Sequence, residues 1–327
     1  MGEFRVMTWN VQNLFEVGEP DGPDTQAEFA AKIASLAAVI DSTEPDVVCL
    51  QEIGTDGALA ALQNALGHRM QHRALGASDD RGIRVAFLST RVLQDLVDIR
   101  PFPAGLLPVQ VGDDPDGPDG PPTMNQMGRG ALQCTVRAND RDVRVISCHL
   151  KSKLLTFPGG RFNARDEDER ARFGAYALYR RTAEATTLRA HLTAELAGTG
   201  RDEAVILAGD MNDEMTAATT LILNGPPGSE IGTQGFQQPD NGDGDRMWNL
   251  APLIPDSERF SRVYRGRPEL IDHIFASRFL VEESNLESVS TVMAAGLAAL
   301  PSIDDNPDAR RCEPGSDHAA VIARFDF

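Results

Sequence analysis

The sequence predicts an α/β fold: one domain over residues 1–327, with large mixed sheets. Three observations carry this. Continuous apolar runs such as AVILAG (204–209) read as strands buried on both faces. Strand-rich segments occupy both ends of the chain, with helical periodicity between them. No internal repeat and no linker divides the 327 residues into two self-sufficient halves.

Taken in order, FRVMTWNV (4–11) is the first strand. TQAE (25–28) fits a capping box, with Thr25 as N-cap and Glu28 reaching back. Phe29, Ile33, Leu36, Ala37 and Ile40 then keep helical spacing to about Asp41, and Pro45 closes the unit. DVVCLQE (46–52) is the next strand, and Leu59, Leu62 and Leu66 mark a second helix. IRVAFLST (83–90), VLQDLVDI (92–99), ALQCTVRA (131–138) and VRVISCHL (143–150) follow as strands. A long helix covers roughly Glu169 to Leu196. AVILAGD (204–210) is a strand, and Asp213 is placed to cap a short helix from Glu214. ELIDHIFAS (269–277) and HAAVIARFDF (318–327) complete the series. GDDPDGPDGPP (112–122) and QQPDNGDGDR (237–246), rich in Pro, Gly and acid, read as irregular loops.

Composition narrows the function classes. A net charge of −18 argues against a generic nucleic-acid coat, which would be basic. It leaves open an enzyme that grips one phosphate through a metal. Cys49, Cys134 and Cys148 lie inside apparent strands, and with Cys312 they show no zinc-site spacing. Buried free thiols fit a reducing compartment. No signal peptide precedes the strand at Phe4, and no apolar run approaches the ~20 residues of a membrane span. The expectation is a soluble cytoplasmic protein, or a secreted one if a leader has been removed.

Five apolar runs meet a polar group at their ends: Asn10, Glu52, His149, Asp210 and Asp272. A sixth run is preceded by Asp317 and His318. Sites in α/β sheets gather where strands end. Each residue also has an ordinary structural explanation. Asn10 suits a turn, Glu52 a solvated strand end, and His149 a satisfied core position. Asp272 suits a bond to His273 or a loop amide, and Asp317 a turn cap. The joint occurrence, in order, is what points to a site.

The ordered set TWN (8–10), LQE (50–52), SCHL (147–150), GDMN (209–212), IDHIF (271–275) and SDH (316–318) resembles the endonuclease/exonuclease/phosphatase superfamily over nearly the whole chain. The resemblance implies a four-layer sandwich, two packed mixed β-sheets flanked by helices. It also implies metal-assisted hydrolysis of a phosphate ester. Glu52, Asn10 and Asp317 match the metal-binding positions, an oxygen donor set suited to Mg²⁺ or Mn²⁺. By the same resemblance Asp210 would orient or deprotonate the attacking water. Asn212 would hold the water or a phosphate oxygen, and alternation along an extended segment puts it on the side of Asp210. The resemblance further implies that His318 contacts the scissile phosphate while Asp272 fixes its tautomer and favours its charged form. It implies for His149 the donation of a proton to the leaving oxygen or a hold on a phosphate oxygen, and this residue tilts the resemblance toward deoxyribonucleases, sphingomyelinases and inositol phosphatases.

Lys151 and Lys153 follow in HLKSK, and Lys151 is the candidate phosphate contact, with Arg129 and Arg161. The other Arg residues of 161–172 read as a solvated helix start paired with neighbouring acids. Arg129 has the alternative of a surface strand residue. The leading function is a Mg²⁺-dependent phosphodiesterase whose partner is a phosphate-ester substrate: DNA, RNA or a nucleotide. The alternatives are a phosphomonoesterase or phospholipase on a small or lipid phosphate, and a catalytically inactive binding module on the same scaffold. The filled set of matched positions disfavours the last. Few aromatics and no Trp-rich hairpin disfavour a phospholipase. Loops 100–128 and 225–262 are the expected substrate determinants. No protein partner follows from the sequence.

Overall fold

The computed structural model describes residues 2–327 apart from 68, 107, 114–120, 162, 283, 284, 294–298, 305 and 307–309. The first half of the chain supplies β1 (Glu3–Leu14), α1 (Gln26–Thr43), β2 (Val47–Ile53), α2 (Asp56–Ala65), β3 (His72–Leu75), β4 (Arg84–Ser89), β5 (Gln94–Pro101), β6 (Val109–Gln110), β7 (Thr123–Met124), β8 (Gln126–Ala138) and β9 (Arg141–His149). α3 (Glu167–Leu196), β10 (Ala204–Asp210), α4 (Ala218–Leu223), α5 (Gln234–Gln237) and β11 (Trp248–Asn249) follow. β12 (Arg262–Tyr264), β13 (Arg267–Glu269), β14 (Asp272–Ala276), α6 (Arg278–Val281), β15 (Leu286–Val292), β16 (Ser302–Ile303) and β17 (Ala320–Asp326) complete the chain.

Two six-stranded mixed sheets form the centre, in the orders β15-β17-β1-β2-β4-β3 and β11-β14-β10-β9-β8-β5. Strand alternation gives each sheet two apolar faces. In β1, Phe4 and Val6 join the core between the sheets, while Met7 and Trp9 pack outward with Leu36 and Ile40 of α1 and Leu59 and Leu62 of α2. In the second sheet, Val145 and Ile206 face inward, and Ile146, Val205 and Leu207 pack outward with Leu188 and Leu192 of α3. The layers are therefore helix, sheet, sheet, helix. Each central strand needs apolar residues on both faces, which is why these runs lack polar alternation.

Local chemistry sets the element ends. Thr25 and Glu28 form the capping box of α1, and Glu44 in the left-handed region closes that helix. Asp166 caps α3 by accepting from the Glu169 N–H. Three expectations change. The helix after β10 starts at Ala218, not Glu214, and Asp213 instead accepts from Thr219 and pairs with Arg181. Asp272 opens β14 rather than closing a strand, because β14 runs antiparallel to β10. Residues 237–246 are organised: Asp240 caps a 3-10 turn over Asn241–Gly244, and buried Asp243 binds Arg201 and Arg246. Of the acidic loop 112–122, residues 114–120 lie outside the described residues. The small sheet β13-β12-β16 was not anticipated, since its strands are two or three residues long and half-exposed.

Candidate active site

Strand pairing brings the polar strand ends to one edge of the sandwich. In the second sheet, Asp210 stands level with His149 on the parallel neighbour β9 and with Asp272 on the antiparallel neighbour β14. In the first sheet, Asn10 and Glu52 come from the same ends of the parallel pair β1 and β2. His318 lies just before β17, which runs back along β1. The two sheets meet through Asn10, whose Nδ2 donates to Glu52 Oε1 at 3.1 Å and to Asp210 Oδ2 at 3.0 Å. One carboxamide thus joins a residue of its own sheet to a residue of the facing sheet.

Asp210, fully buried, also accepts from the Asn212 backbone N–H at 2.8 Å, and its Oδ2 is 3.4 Å from His149 Nε2. Asn212 sits at φ 53°, so the chain turns immediately after β10. That turn brings the pair together, and the strand alternation expected for 210 and 212 does not extend to it. Asn212 Nδ2 donates to Leu150 O at 3.0 Å. His318 Nδ1 bonds Asp272 Oδ2 at 2.7 Å, and Trp9 Nε1 fixes the His318 carbonyl at 2.9 Å. Asp317 borders the cleft, and its backbone N–H reaches Gln12 Oε1 at 3.1 Å.

Backbone strain concentrates here. Gln12, Asn13, Glu52 and Asn212 all adopt positive φ and all line one cleft of about 500 Å³. Left-handed non-glycine residues cost energy and persist where surrounding structure over-determines them, commonly at functional sites. The Glu52 carboxylate receives the Asn13 N–H at 2.9 Å, so its unusual backbone is locked by its own side chain.

The electrostatics separate the two histidines. Burial works against the charge on His318, but Asp272, followed by Asp317 and Asp210, outweighs it and pushes the pKa up to about 10. Burial lowers His149 well below the usual imidazole value, and Arg129 and His318 lower it further. Asp210 is raised by burial and by the charge of Asp272. Asp210, Asp272 and His318 offer ligand atoms within 4.8 Å of one another. Within this trio His318 Nδ1 and Asp272 Oδ2 are already spent on each other at 2.7 Å, which makes it a hydrogen-bonded network of charges.

The cations expected to meet phosphate divide. Arg129 lines the cleft, held by Asp79 at 3.3 Å and by Leu150 O at 3.2 Å, so it is not a plain surface residue. Lys151 does not line it. β9 ends at His149, the chain turns, and the Lys151 ammonium folds onto Ser152 O and Leu154 O; Lys153 takes the cleft position instead. Arg161 is not among the cleft-lining residues either, since Glu169 engages its guanidinium at 2.6 Å and 3.2 Å. Arg81, Arg262, Arg310, Tyr264 and Gln12 line the cleft without having been singled out. Of loops 100–128 and 225–262, only Arg262 contributes a described lining residue; the rim is built instead from 152–154, from Tyr264 and Glu269, and from Ser302, Ile303, Asp304, Asn306 and Arg310.

Comparison with curated proteins returns no match. Solved structures share the fold. They include an endonuclease/exonuclease/phosphatase from Beutenbergia cavernae DSM 12333 (19% identity, TM-score 0.56, covering 99% of this chain and 72% of that one). D. rerio TDP2 complexed with single-strand DNA product gives 13% identity and TM-score 0.55 over 100% of both chains. SmcL gives 16% identity and TM-score 0.55 over 99% of both. The sequence profile of the Endonuclease/Exonuclease/phosphatase family matches residues 7–318, so the chain belongs to that family of phosphoric ester hydrolases.

Proposed function

We propose that this hydrolase cleaves phosphate diesters, in nucleic acid or a nucleotide, with Mg²⁺ or Mn²⁺. The observation that carries the reading is the Asn10 bridge, which sets Glu52 beside Asp210 in a cleft that a cationic His318 also lines, with Asp272 buried behind the ring. Glu52, the Asn10 side-chain oxygen and Asp317 form an all-oxygen donor set, with no thiol or imidazole among them, and this fits a hard divalent cation. When bound, the ion supplies Lewis-acid activation of the phosphoryl oxygen.

The protein's own groups would then do the following. Asp210, its pKa raised by burial and by Asp272, is a stronger base than an ordinary carboxylate and takes the proton of the attacking water. The Asn212 amide, anchored on Leu150 O, holds that water or a phosphate oxygen. His318 stays protonated through neutral pH and presents Nε2–H to a phosphoryl oxygen, while Asp272 holds the other edge of the ring. Burial lowers the pKa of His149, whose Nε2 stands 3.4 Å from Asp210 Oδ2. It donates a proton to the leaving oxygen or holds a phosphate oxygen.

The test is turnover of plasmid, single-stranded DNA, RNA, bis-p-nitrophenyl phosphate and p-nitrophenyl phosphate, with Mg²⁺ or Mn²⁺ and with chelator. Diesters should turn over faster than the monoester. Chelator should abolish activity, and Glu52→Gln should raise the metal concentration needed. Full activity in chelator, or a preference for monoesters, would overturn the reading.

A further inference from the structure

Arg262 was not marked by any sequence motif, yet its backbone pairs directly with that of His318. β12 begins at Arg262, and an isolated antiparallel bridge pairs it with His318. The contact is reinforced on both sides. Ala319 N donates to Ser261 O at 2.7 Å. Ser261 Oγ accepts the N–H groups of Ile271 at 3.1 Å and Asp272 at 3.2 Å. The segment carrying Arg262 is thus stitched to both members of the Asp272–His318 pair.

The guanidinium is fixed as well as close. Arg262 Nη2 donates to Glu269 Oε2 at 2.7 Å, and the group lies 5.4 Å from the Tyr264 ring centroid. Its side chain is only 15% exposed, yet it lines the cleft beside Asp210, Asp317 and His318. Among the described residues its Nε–H has no hydrogen-bond partner. That nitrogen is itself sealed from solvent, so a ligand in the cleft meets the outer guanidinium nitrogens instead. Guanidinium presents its N–H groups as a planar fork matched to phosphate oxygens. Glu269 holds Nη2, and Nη1 forms no hydrogen bond among the described residues.

We propose that Arg262 is a phosphoryl-oxygen ligand, a second cation beside His318, anchored by Glu269 for that purpose. The proposal rests on the phosphodiesterase reading. The role assigned is electrostatic: a preformed donor aimed at charge that grows in the transition state. Glu269 is a positioning residue, since its contact is with the guanidinium rather than with substrate.

The experiment uses the full chain and three readouts. The first is kcat and KM for bis-p-nitrophenyl phosphate in wild type, Arg262→Ala and Arg262→Lys. Arg262→Ala should lose about a hundredfold in kcat, as is common when one transition-state donor is removed. Arg262→Lys keeps the charge without the fork and should recover only a small part. The second is rescue: added guanidinium chloride, at concentrations below unfolding, should restore Arg262→Ala and leave Arg262→Lys unchanged. The third is binding of inorganic phosphate in chelator, followed by thermal shift, which should weaken about tenfold in Arg262→Ala. Glu269→Gln should raise KM and weaken phosphate binding while leaving the metal requirement unchanged. A folded Arg262→Ala variant with wild-type kcat and phosphate affinity would overturn the proposal. So would losses in Arg262→Ala that neither guanidinium nor Arg262→Lys relieves. If wild type itself fails to cleave any diester, the phosphodiesterase reading fails first, and phosphate binding in chelator still tests Arg262.

Discussion

At His318 two opposing effects decide the protonation state. Burial disfavours the charge, and three neighbouring carboxylates favour it; the carboxylates win, and the folded pKa lies near 10 against 6.5 for the free side chain. The sign of the pH dependence follows. A raised pKa means that the protonated ring stabilises the fold fully below about 6.5, and that this stabilisation is lost as pH climbs toward 10. The difference in urea-unfolding free energy between wild type and His318→Gln should therefore be largest near pH 6 and shrink on the alkaline side. A constant difference from pH 6 to 10 would show that the ring is not charged in the folded state. In kinetics the pair should act as a unit. His318→Ala and Asp272→Asn should each cost about a hundredfold in kcat, with the double variant little worse than His318→Ala. Strictly multiplicative losses, in variants shown to be folded by circular dichroism, would separate the two residues.

At the scale of the element, the position of Asp210 depends on the residue before it. A Cβ on Gly209 would come within 2.0 Å of the Cys148 carbonyl oxygen on neighbouring β9. Backbone cannot yield as a flexible side chain does, so β10 and β9 would have to separate where Asp210 faces His149. Gly209→Ala should destabilise the fold by about 1–3 kcal/mol, the usual range for overpacking, and should cut kcat beyond what the loss of folded protein explains. A variant with unchanged melting temperature and turnover would show that the strands tolerate the shift. The same example marks what the sequence made legible. Apolar runs predicted β1, β2, β9 and β10, because strands buried on both faces admit few other residues. The α1 capping box was readable because all its contacts lie within four residues. Beyond a strand end the signal stops. Lys151 and Lys153 look equivalent in HLKSK, and only the turn after His149 decides that Lys153 faces the cleft. Arg161 could be weighed against Glu169 from sequence, since the two are near neighbours on the chain. Arg262 could not be identified, because its place depends on a bridge to His318 that no local pattern encodes.

At the scale of the whole molecule, a body carrying −18 must present its site to an anionic substrate. The cleft reverses that charge only barely. Arg81, Arg129, Lys153, Arg262, Arg310 and the cationic His318 line it together with Glu52, Asp210, Glu269, Asp304 and Asp317. Four of the Arg and Lys cations are already engaged: Arg81 by Asp21, Arg129 by Asp79, Lys153 by Asp213 and Arg262 by Glu269. Affinity for long DNA normally comes from neutralising many phosphates, each contributing about −0.9 to the slope of log K against log salt. A cleft whose cations are largely offset by carboxylates, and which gathers its phosphate ligands around one scissile group, has little of that to offer, and the surrounding negative field opposes a long polyanion within a Debye length of about 10 Å. Raising salt from 50 to 200 mM should therefore leave KM for a dinucleotide diester nearly unchanged. For a long duplex the slope should stay shallower than about −3, the equivalent of about three phosphate contacts. Measured per diester bond, kcat/KM should not increase with chain length. A slope near −6, or a hundredfold gain in kcat/KM from dinucleotide to long duplex, would show that the protein grips an extended strand outside this cleft.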